Sequence, residues 1–165
     1  ADIEIARLEN HVQRVKLALE PVVDSERFDV IVIDCPPSLG TLTLNAFTAA
    51  DSLLVPLQCE YYALEGISII TRLLNQLRDT GVNPGLHIIG VVMTMFDGRT
   101  RLSQQVVDEV RQHFGDAVFD TVIPRATRLA EAPSFGKPII YYDKYSVAAA
   151  AYEVLSQDLV KRLKI

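Results

Sequence analysis

The 165-residue sequence has no tryptophan, only two cysteines and only three histidines. Cys35 and Cys59 are too few for a disulfide framework, and no histidine has the spacing of a metal ligand. No apolar run reaches the roughly 18 residues that a membrane-spanning helix requires. These absences argue against a disulfide-rich secreted protein, a zinc protein and a membrane protein. A reduced cytosolic protein is expected, with both cysteines as packing residues.

The composition also has neither an unusually high content of charged residues nor a large net charge. Apolar residues make up 49% and charged residues 22%, which is typical of a globular domain and not of a disordered or coiled-coil chain. The net charge of −5 excludes a basic footprint over the whole surface, although a local basic patch remains possible. At about 150 residues per domain, the length predicts one domain over residues 1–165.

Apolar runs and amphipathic stretches alternate along the chain. The runs predict strands at Phe28–Asp34, Ser52–Leu57, Leu86–Met95 and Val118–Ile123 and a brief edge strand at Pro138–Tyr141. The amphipathic stretches predict helices over residues 3–20 (ended by Pro21), Thr41–Ala50, Leu64–Arg78, Ser103–Phe114 and Ser146–Leu163, and a short helical turn is possible in Pro124–Gly136. This alternation predicts an α/β fold, a doubly wound and mostly parallel sheet with helices on both faces.

In such sheets, ligands bind beyond the carboxyl ends of the strands. The first predicted strand ends at Asp34, followed by Cys35-Pro36-Pro37-Ser38-Leu39-Gly40. An apolar strand that ends in aspartate is the Walker-B arrangement, in which the carboxylate holds Mg²⁺ near a phosphate. The alternative is that Asp34 only caps the next turn. The full run from the strand to Gly40 favours the functional interpretation.

Two later strand ends carry four arginines, Arg99, Arg101, Arg125 and Arg128. Such a cluster can contact phosphates, but the arginines can equally pair with Asp97, Glu131 or Asp143. The second strand is followed by Gln58, Glu60, Tyr61 and Tyr62, and their spacing does not distinguish lining a site from packing.

Taken together, these motifs resemble the ParA/Soj partitioning ATPases of the ParA/MinD family of deviant Walker-A proteins. The matching stretches are FDVIVIDCPPSLGTLTLNAFTAADSLLVPLQCEYYALEG, GVVMTMFDGRTRLSQQVVDEV and VFDTVIPRATRLAEAPSFGKPIIYYD. The resemblance implies a P-loop NTPase fold, ATP and Mg²⁺ as ligands, and dimerisation around nucleotide. It also implies non-specific DNA binding, a ParB-type centromere-binding partner protein and a cytoplasmic, nucleoid-associated role in chromosome or plasmid partitioning.

Several residues take roles from this resemblance. Asp34 falls at the Walker-B magnesium position, and the switch II residues are Pro36, Pro37, Ser38 and Gly40. Residues Met95, Pro124 and Arg125 fall in the stretches that border the adenine. Arg99 and Arg128 match arginines implicated in DNA binding.

The sequence contains no G-x-x-x-x-G-K-[ST] loop, and its only Gly-Lys pair, Gly136-Lys137, is followed by proline. The P-loop provides much of the electrostatic stabilisation in phosphoryl transfer, so this chain alone is predicted to have no appreciable ATPase activity. The preferred interpretation is the C-terminal portion of a ParA-type ATPase domain. The alternative is a naturally short module without enzymatic activity that binds DNA or a full-length ParA-type partner and regulates it.

The missing P-loop strand also has a structural consequence. In the family this strand lies near the Walker-B strand, so Phe28–Asp34 is expected to present an unpaired apolar edge. Self-association, strand exchange or pairing with another protein would cover that edge. The isolated chain is therefore expected not to be a simple monomer.

Overall fold

The computed structural model describes residues 11–36, 38 and 40–165. They form two compact units, one of residues up to Leu53 together with Thr71–His87 and the other of Leu54–Ile70 together with Ile88–Ile165. The helices are α1 (Arg14–Val23), α2 (Thr41–Ala49), α3 (Ala63–Asp79), α4 (Arg101–Phe114), α5 (Thr127–Glu131), α6 (Ile139–Tyr142) and α7 (Val147–Leu163). The strands are β1 (Ser52–Gln58), β2 (His87–Phe96) and β3 (Val118–Pro124), and short 3₁₀ turns occupy Gly115–Ala117 and Ala132–Phe135.

The three strands form one sheet in the order β1-β2-β3. Strand β2 pairs in parallel with β3, so that Val91 lies opposite Val118 and Phe96 lies opposite Pro124. The parallel sheet is flanked by helices, which confirms the predicted fold class. Because β2 and β3 run the same way, both of their carboxyl ends lie at one edge of the sheet.

The second unit has its core between the sheet and α7. Val92, Phe119, Ile123 and Leu155 form one buried cluster, and α7 packs against β3. Helix α7 begins where predicted, because the Ser146 hydroxyl accepts a hydrogen bond from the amide of residue 149 at 3.2 Å and caps the first turn.

In the first unit, two asparagines connect segments that are distant in sequence. The buried Asn45 amide donates to the His11 carbonyl at 2.6 Å, and its Oδ1 accepts from the Val15 amide at 3.2 Å. The Asn83 amide donates to the carbonyls of Phe47 and Ala50, each at 2.8 Å. Asn45 thereby joins α2 to α1, and Asn83 satisfies carbonyls at the end of α2 that have no partner within the helix.

The predicted strand at Phe28–Asp34 is wrong. The segment is irregular, and most of its apolar side chains are exposed, Phe28 by 62% and Val32 by 84%. A strand forms only when a neighbour satisfies its backbone groups. Within the described residues the sheet contains only β1, β2 and β3, and none of them pairs with this segment.

Two further predictions at prolines are wrong. Pro138–Tyr141 is not an edge strand, since the chain forms α6 there and Ile139 is buried against Ala148 and Ala149. This tertiary packing overrides the β propensity of the Ile-Ile-Tyr-Tyr run.

Pro21 does not stop α1, which continues to Val23. The proline lies in an exposed last turn, where water can satisfy the carbonyl that loses its partner. Residues 3–10 of the predicted first helix lie outside the described residues.

Candidate functional site

An open cleft of ≈ 640 Å³ lies in the second unit, at the carboxyl ends of all three strands. Each strand end contributes side chains to it. The lining residues are Cys59, Glu60, Tyr61 and Tyr62 after β1, Met95, Asp97, Thr100, Leu102 and Ser103 from the end of β2 to the start of α4, and Arg125 after β3. Its position and size are those of ligand sites in open α/β sheets.

The cleft brings together two of the three residues predicted to border adenine. Met95 and Arg125 both line it, and the Arg125 amide donates to the Phe96 carbonyl at 2.8 Å. Pro124 lies next to them as the ladder partner of Phe96, and its side chain is not part of the lining. Met95 has a φ of 56°, which is unfavourable for a residue with a side chain. Backbone strain of this kind is concentrated at functional sites.

Glu60 and Arg125 form an ion pair across the cleft. The Glu60 Oε1 accepts from Arg125 Nη2 at 2.7 Å, and both side chains are about half exposed. The sequence left open whether Glu60 lines a site, because the spacing around a single acidic residue after a strand does not indicate its role. In the structure this acid holds the Arg125 guanidinium at the cleft.

Asp97 and Arg99 form a closed pair at the start of the loop after β2. Arg99 donates from Nε to Oδ1 at 2.9 Å and from Nη2 to Oδ2 at 2.7 Å, and its amide also donates to Oδ1. These bonds hold the pKa of Asp97 well below its usual range and raise that of Arg99. The Thr100 hydroxyl donates to the Asp97 carbonyl and accepts from the Ser103 amide. The loop is therefore fixed where α4 begins.

Arg128 lies in a second acidic setting. Its Nη1 donates to Glu131 at 3.1 Å, its Nε lies 3.6 Å from Asp143, and its guanidinium also reaches the Tyr142 hydroxyl at 3.4 Å. The hydrogen bonds that Arg128 donates to the Tyr142 hydroxyl and to the Glu131 carboxylate raise the pKa of Arg128. The alternative left open by the sequence, that the arginines pair with Asp97, Glu131 and Asp143, is confirmed for Arg99 and Arg128. Their contact with DNA stays a prediction.

The predicted magnesium and switch residues lie in the first unit. Asp34 is exposed, and no hydrogen bond or ion pair joins its carboxylate to another described residue. The Ser38 carbonyl accepts from the Thr43 hydroxyl at 2.6 Å, and Gly40 directly precedes α2. Pro36 is exposed, and Pro37 lies outside the described residues. Among the residues that are described, no three His, Cys, Asp or Glu side chains gather into a metal-binding group.

Both cysteines have properties of packing residues. Cys59 is 3% exposed, and burial raises its pKa to about 11. The pKa of Cys35 is raised first by burial and then by the neighbouring Asp34 carboxylate. A thiol that stays protonated at neutral pH is a poor nucleophile, so neither cysteine fits a catalytic role.

No helix in the described part of the chain is long and apolar enough to span a bilayer.

The sequence matches a family of proteins described as the AAA domain over residues 1–88. The chromosome partitioning protein ParA of Myxococcus xanthus is 49% identical over 162 residues, which cover 98% of this chain and 56% of that protein. The sporulation initiation inhibitor protein Soj of Bacillus subtilis is 51% identical, with coverage of 96% and 62%. The chromosome-partitioning ATPase Soj of Thermus thermophilus is 48% identical, with coverage of 89% and 59%. The chain thus spans roughly three fifths of the length of these curated relatives.

Solved structures share the fold. Cobyrinic acid a,c-diamide synthase from Mycobacterium smegmatis superposes with a TM-score of 0.78 at 31% identity, covering 99% of this chain and 58% of that one. The same enzyme with bound ADP and magnesium gives a TM-score of 0.77, with the same identity and coverage. The cell division ATPase MinD of Pyrococcus furiosus superposes with a TM-score of 0.69 at 21% identity. The superposition covers 93% of this chain and 58% of MinD, and at this identity it shows a shared fold alone.

Proposed function

The chain belongs to the AAA domain family, as a relative of the ParA and Soj chromosome-partitioning proteins, and from this premise we propose that it acts in ATP-dependent DNA segregation. The observation that carries the proposal is the cleft to which all three strand ends contribute. In this proposal residues 1–165 are one domain, the C-terminal portion of a ParA-type ATPase domain.

The cleft would hold the adenine end of ATP. Met95 and Leu102 offer apolar contacts, and the Glu60–Arg125 pair offers polar groups at the same site. The volume of ≈ 640 Å³ lies within the range of small-molecule sites. Pro124 would not touch the base. It pairs with Phe96 in the sheet, and the Phe96 carbonyl in turn accepts a hydrogen bond from the Arg125 amide and so positions Arg125.

Asp34 would serve the magnesium ion that accompanies the nucleotide phosphates. Its carboxylate is exposed and has no partner among the described residues, which fits this role, because Mg²⁺ is usually held by one or two carboxylates together with water and phosphate oxygens. The ion would neutralise charge on the phosphates. The segment Pro36, Pro37, Ser38 and Gly40 would then respond to the terminal phosphate as switch II.

The sequence has no Walker-A loop, so the phosphate-binding amides and lysine would have to come from outside residues 1–165. We infer that this chain alone binds nucleotide weakly and does not hydrolyse it. Arg99 and Arg128 would contact DNA phosphates without reading sequence. A ParB-type centromere-binding protein is the proposed partner. The proposed location is the cytoplasm, in association with the nucleoid.

The exposed apolar segment from Phe28 to Val32 supports a further element of the proposal, self-association. Exposed contiguous apolar surface of this kind marks interaction sites. A second copy of the chain is the proposed occupant in solution.

A chimera tests the enzymatic part. The matched segment of Thermus thermophilus Soj is replaced by this chain, and phosphate release from Mg-ATP is measured. The chimera should hydrolyse ATP, Asp34→Ala should abolish hydrolysis, and Asp24→Ala, which removes an exposed carboxylate outside the apolar segment, should not. Equal hydrolysis by the Asp34→Ala chimera would overturn the role of Asp34.

The base site is tested on the full chain itself, independently of whether the chimera folds. In a two-dimensional amide NMR spectrum, adenosine should shift the signals of Met95 and Arg125 together with their neighbours in the cleft. Met95→Glu should remove these shifts. Shifts elsewhere, or none at high adenosine concentration, would overturn the assignment of the cleft.

The alternative function is a short module without enzymatic activity that binds DNA or a full-length ParA-type partner and regulates it. DNA binding by this chain that does not change when nucleotide is added would favour this alternative.

A further inference from the structure

A second and larger groove, of ≈ 880 Å³, lies on the second unit and shares no lining residue with the cleft. One wall is the first half of α7, and the other is the segment from α5 to the turn after α6. Its lining is mainly apolar, with Leu129, Pro133, Ile139, Ile140, Tyr145 and Tyr152 among its residues.

The chain around this groove exposes an unusual density of large apolar side chains. Tyr145 is 88% exposed and Val147 is 78% exposed, in a stretch that also contributes Ile139, Ala148 and Ala149 to a buried cluster. The full set within residues 135–152 is Phe135, Ile140, Tyr141, Tyr145, Val147 and Tyr152. Three of the six are tyrosines, and tyrosine is enriched in the binding hot spots of protein interfaces. Burial in a complex would remove this surface from water.

The charges at the groove have one predominant sign. Lys137 and Lys144 line it, and neither forms a salt bridge with a described residue. The Lys144 ammonium lies 4.7 Å from the centre of the Tyr145 ring. Glu153 is the only carboxylate among the described residues of the lining, so the lining has a formal charge of about +1 in a chain with a net charge of −5. Carboxylates on a ligand would complement the two lysines.

We propose that this groove docks a short acidic amphipathic helix from a partner protein. The apolar face of the helix would fill the groove between α7 and α6, and carboxylates at its edge would pair with Lys137 and Lys144. Helix-in-groove recognition uses this combination of apolar anchors and flanking charge. A nucleic-acid backbone would contact the two lysines but would leave the apolar lining uncovered, so the groove fits an amphipathic helix better.

The test selects ligands instead of assuming one. A displayed library of short helical peptides is enriched on the full chain, with counter-selection on the Lys137→Glu, Lys144→Glu double variant. The enriched peptides should combine apolar residues three and four positions apart with adjacent carboxylates. In fluorescence anisotropy the double variant should bind them at least about tenfold more weakly. Lys16→Glu with Lys164→Glu is the matched control, because it makes the same charge change at two exposed lysines outside the groove, and it should leave the affinity unchanged.

A charge swap separates electrostatic pairing from damage to the fold. Peptides whose carboxylates are replaced by lysine should bind the double variant more tightly than the unmodified chain. Tyr145→Ala, at a position too exposed to affect folding, should also weaken binding. The proposal is overturned if no peptide is enriched over the double variant, if the enriched peptides are basic or neutral, or if the charge swap fails.

Discussion

The Arg162 guanidinium lies 3.8 Å from the centre of the Phe119 ring. From this position Nη1 donates to the carbonyls of Ile89 and Ala117, each at 3.0 Å, and Nη2 donates to the Val118 carbonyl at 3.3 Å. One side chain in the last turn of α7 therefore satisfies backbone groups at β2 and at the start of β3, while it covers a buried aromatic ring of the core.

Replacing Arg162 by alanine should destabilise the fold by about 2 to 3 kcal/mol, because three carbonyls lose a charged donor and Phe119 loses its covering cation. Arg162→Lys should recover only part of this loss, since an ammonium cannot bridge all three carbonyls. Urea unfolding of each variant measures the difference. Lys161→Ala is the control, and its exposed pair with Asp158 predicts a change below about 0.5 kcal/mol. Equal midpoints for Arg162→Ala and Lys161→Ala would contradict the assignment.

Gly90 allows the close approach of the same ring to β2. A Cβ at this position would overlap the buried Phe119 ring, so the ring or the strand would have to shift. Gly90→Ala should therefore cost about 1 to 3 kcal/mol through overpacking. Gly66→Ala is the matched control, because its Cβ would meet nothing within 4 Å in the helix α3. That change should stabilise by up to about 1 kcal/mol. Thermal unfolding showing the same sign for both would refute this explanation of Gly90.

The sequence predicted a strand correctly where a neighbouring strand was available to pair with it. The β-branched runs at β2 and β3 predicted both strands to within one or two residues, because burial on both faces leaves a continuous apolar signal. The run at Phe28–Asp34 carries the same signal and fails, since apolar character specifies a tendency to be buried and not the neighbour that must pair with it.

The site could be predicted in part. The family resemblance assigned Met95, Pro124 and Arg125 to the base site, and the cleft is lined by Met95 and Arg125 but not by Pro124. The Glu60–Arg125 ion pair joins residues 65 positions apart in sequence, and no local pattern encodes such a contact. The bridging roles of Asn45 and Asn83 were missed for the same reason, because their hydrogen-bond partners lie 30 or more residues away.

The Asp97–Arg99 pair predicts a specific dependence on pH. The pKa of Asp97 in the folded state lies below the unfolded value of about 3.9, so the pair stabilises the fold above that pH. The contribution is lost as the pH falls through the folded pKa. Carboxyl carbon NMR should show Asp97 still ionised at a pH where unfolded aspartate is half protonated. Arg99→Ala should raise its midpoint and Arg101→Ala should not, and an unchanged midpoint in Arg99→Ala would exclude the pair as the cause.

DNA binding should depend on the two paired arginines. Arg99→Ala with Arg128→Ala should weaken binding equally for unrelated duplexes and reduce the salt slope by about 2. Asp97→Asn should have the opposite effect, because it frees the Arg99 guanidinium from its carboxylate. The control with the same charge change is Arg14→Ala with Arg72→Ala, two exposed arginines of the first unit. If affinity and slope are unchanged in the first double variant, the arginines do not contact DNA.

Self-association should depend on the exposed segment from Phe28 to Val32. Val32 is 84% exposed, so a lysine there disturbs no core, yet it places a charge where apolar surface would be covered in an oligomer. Light scattering should therefore show a mass that rises with concentration for the unmodified chain and stays monomeric for Val32→Lys. Val154→Lys, which adds the same charge at a 46% exposed valine of α7, should leave the association intact. A monomer at all concentrations for the unmodified chain would show that exposure of this segment does not drive association. Equal loss of mass in both variants would show instead that net charge, and not the segment, governs it.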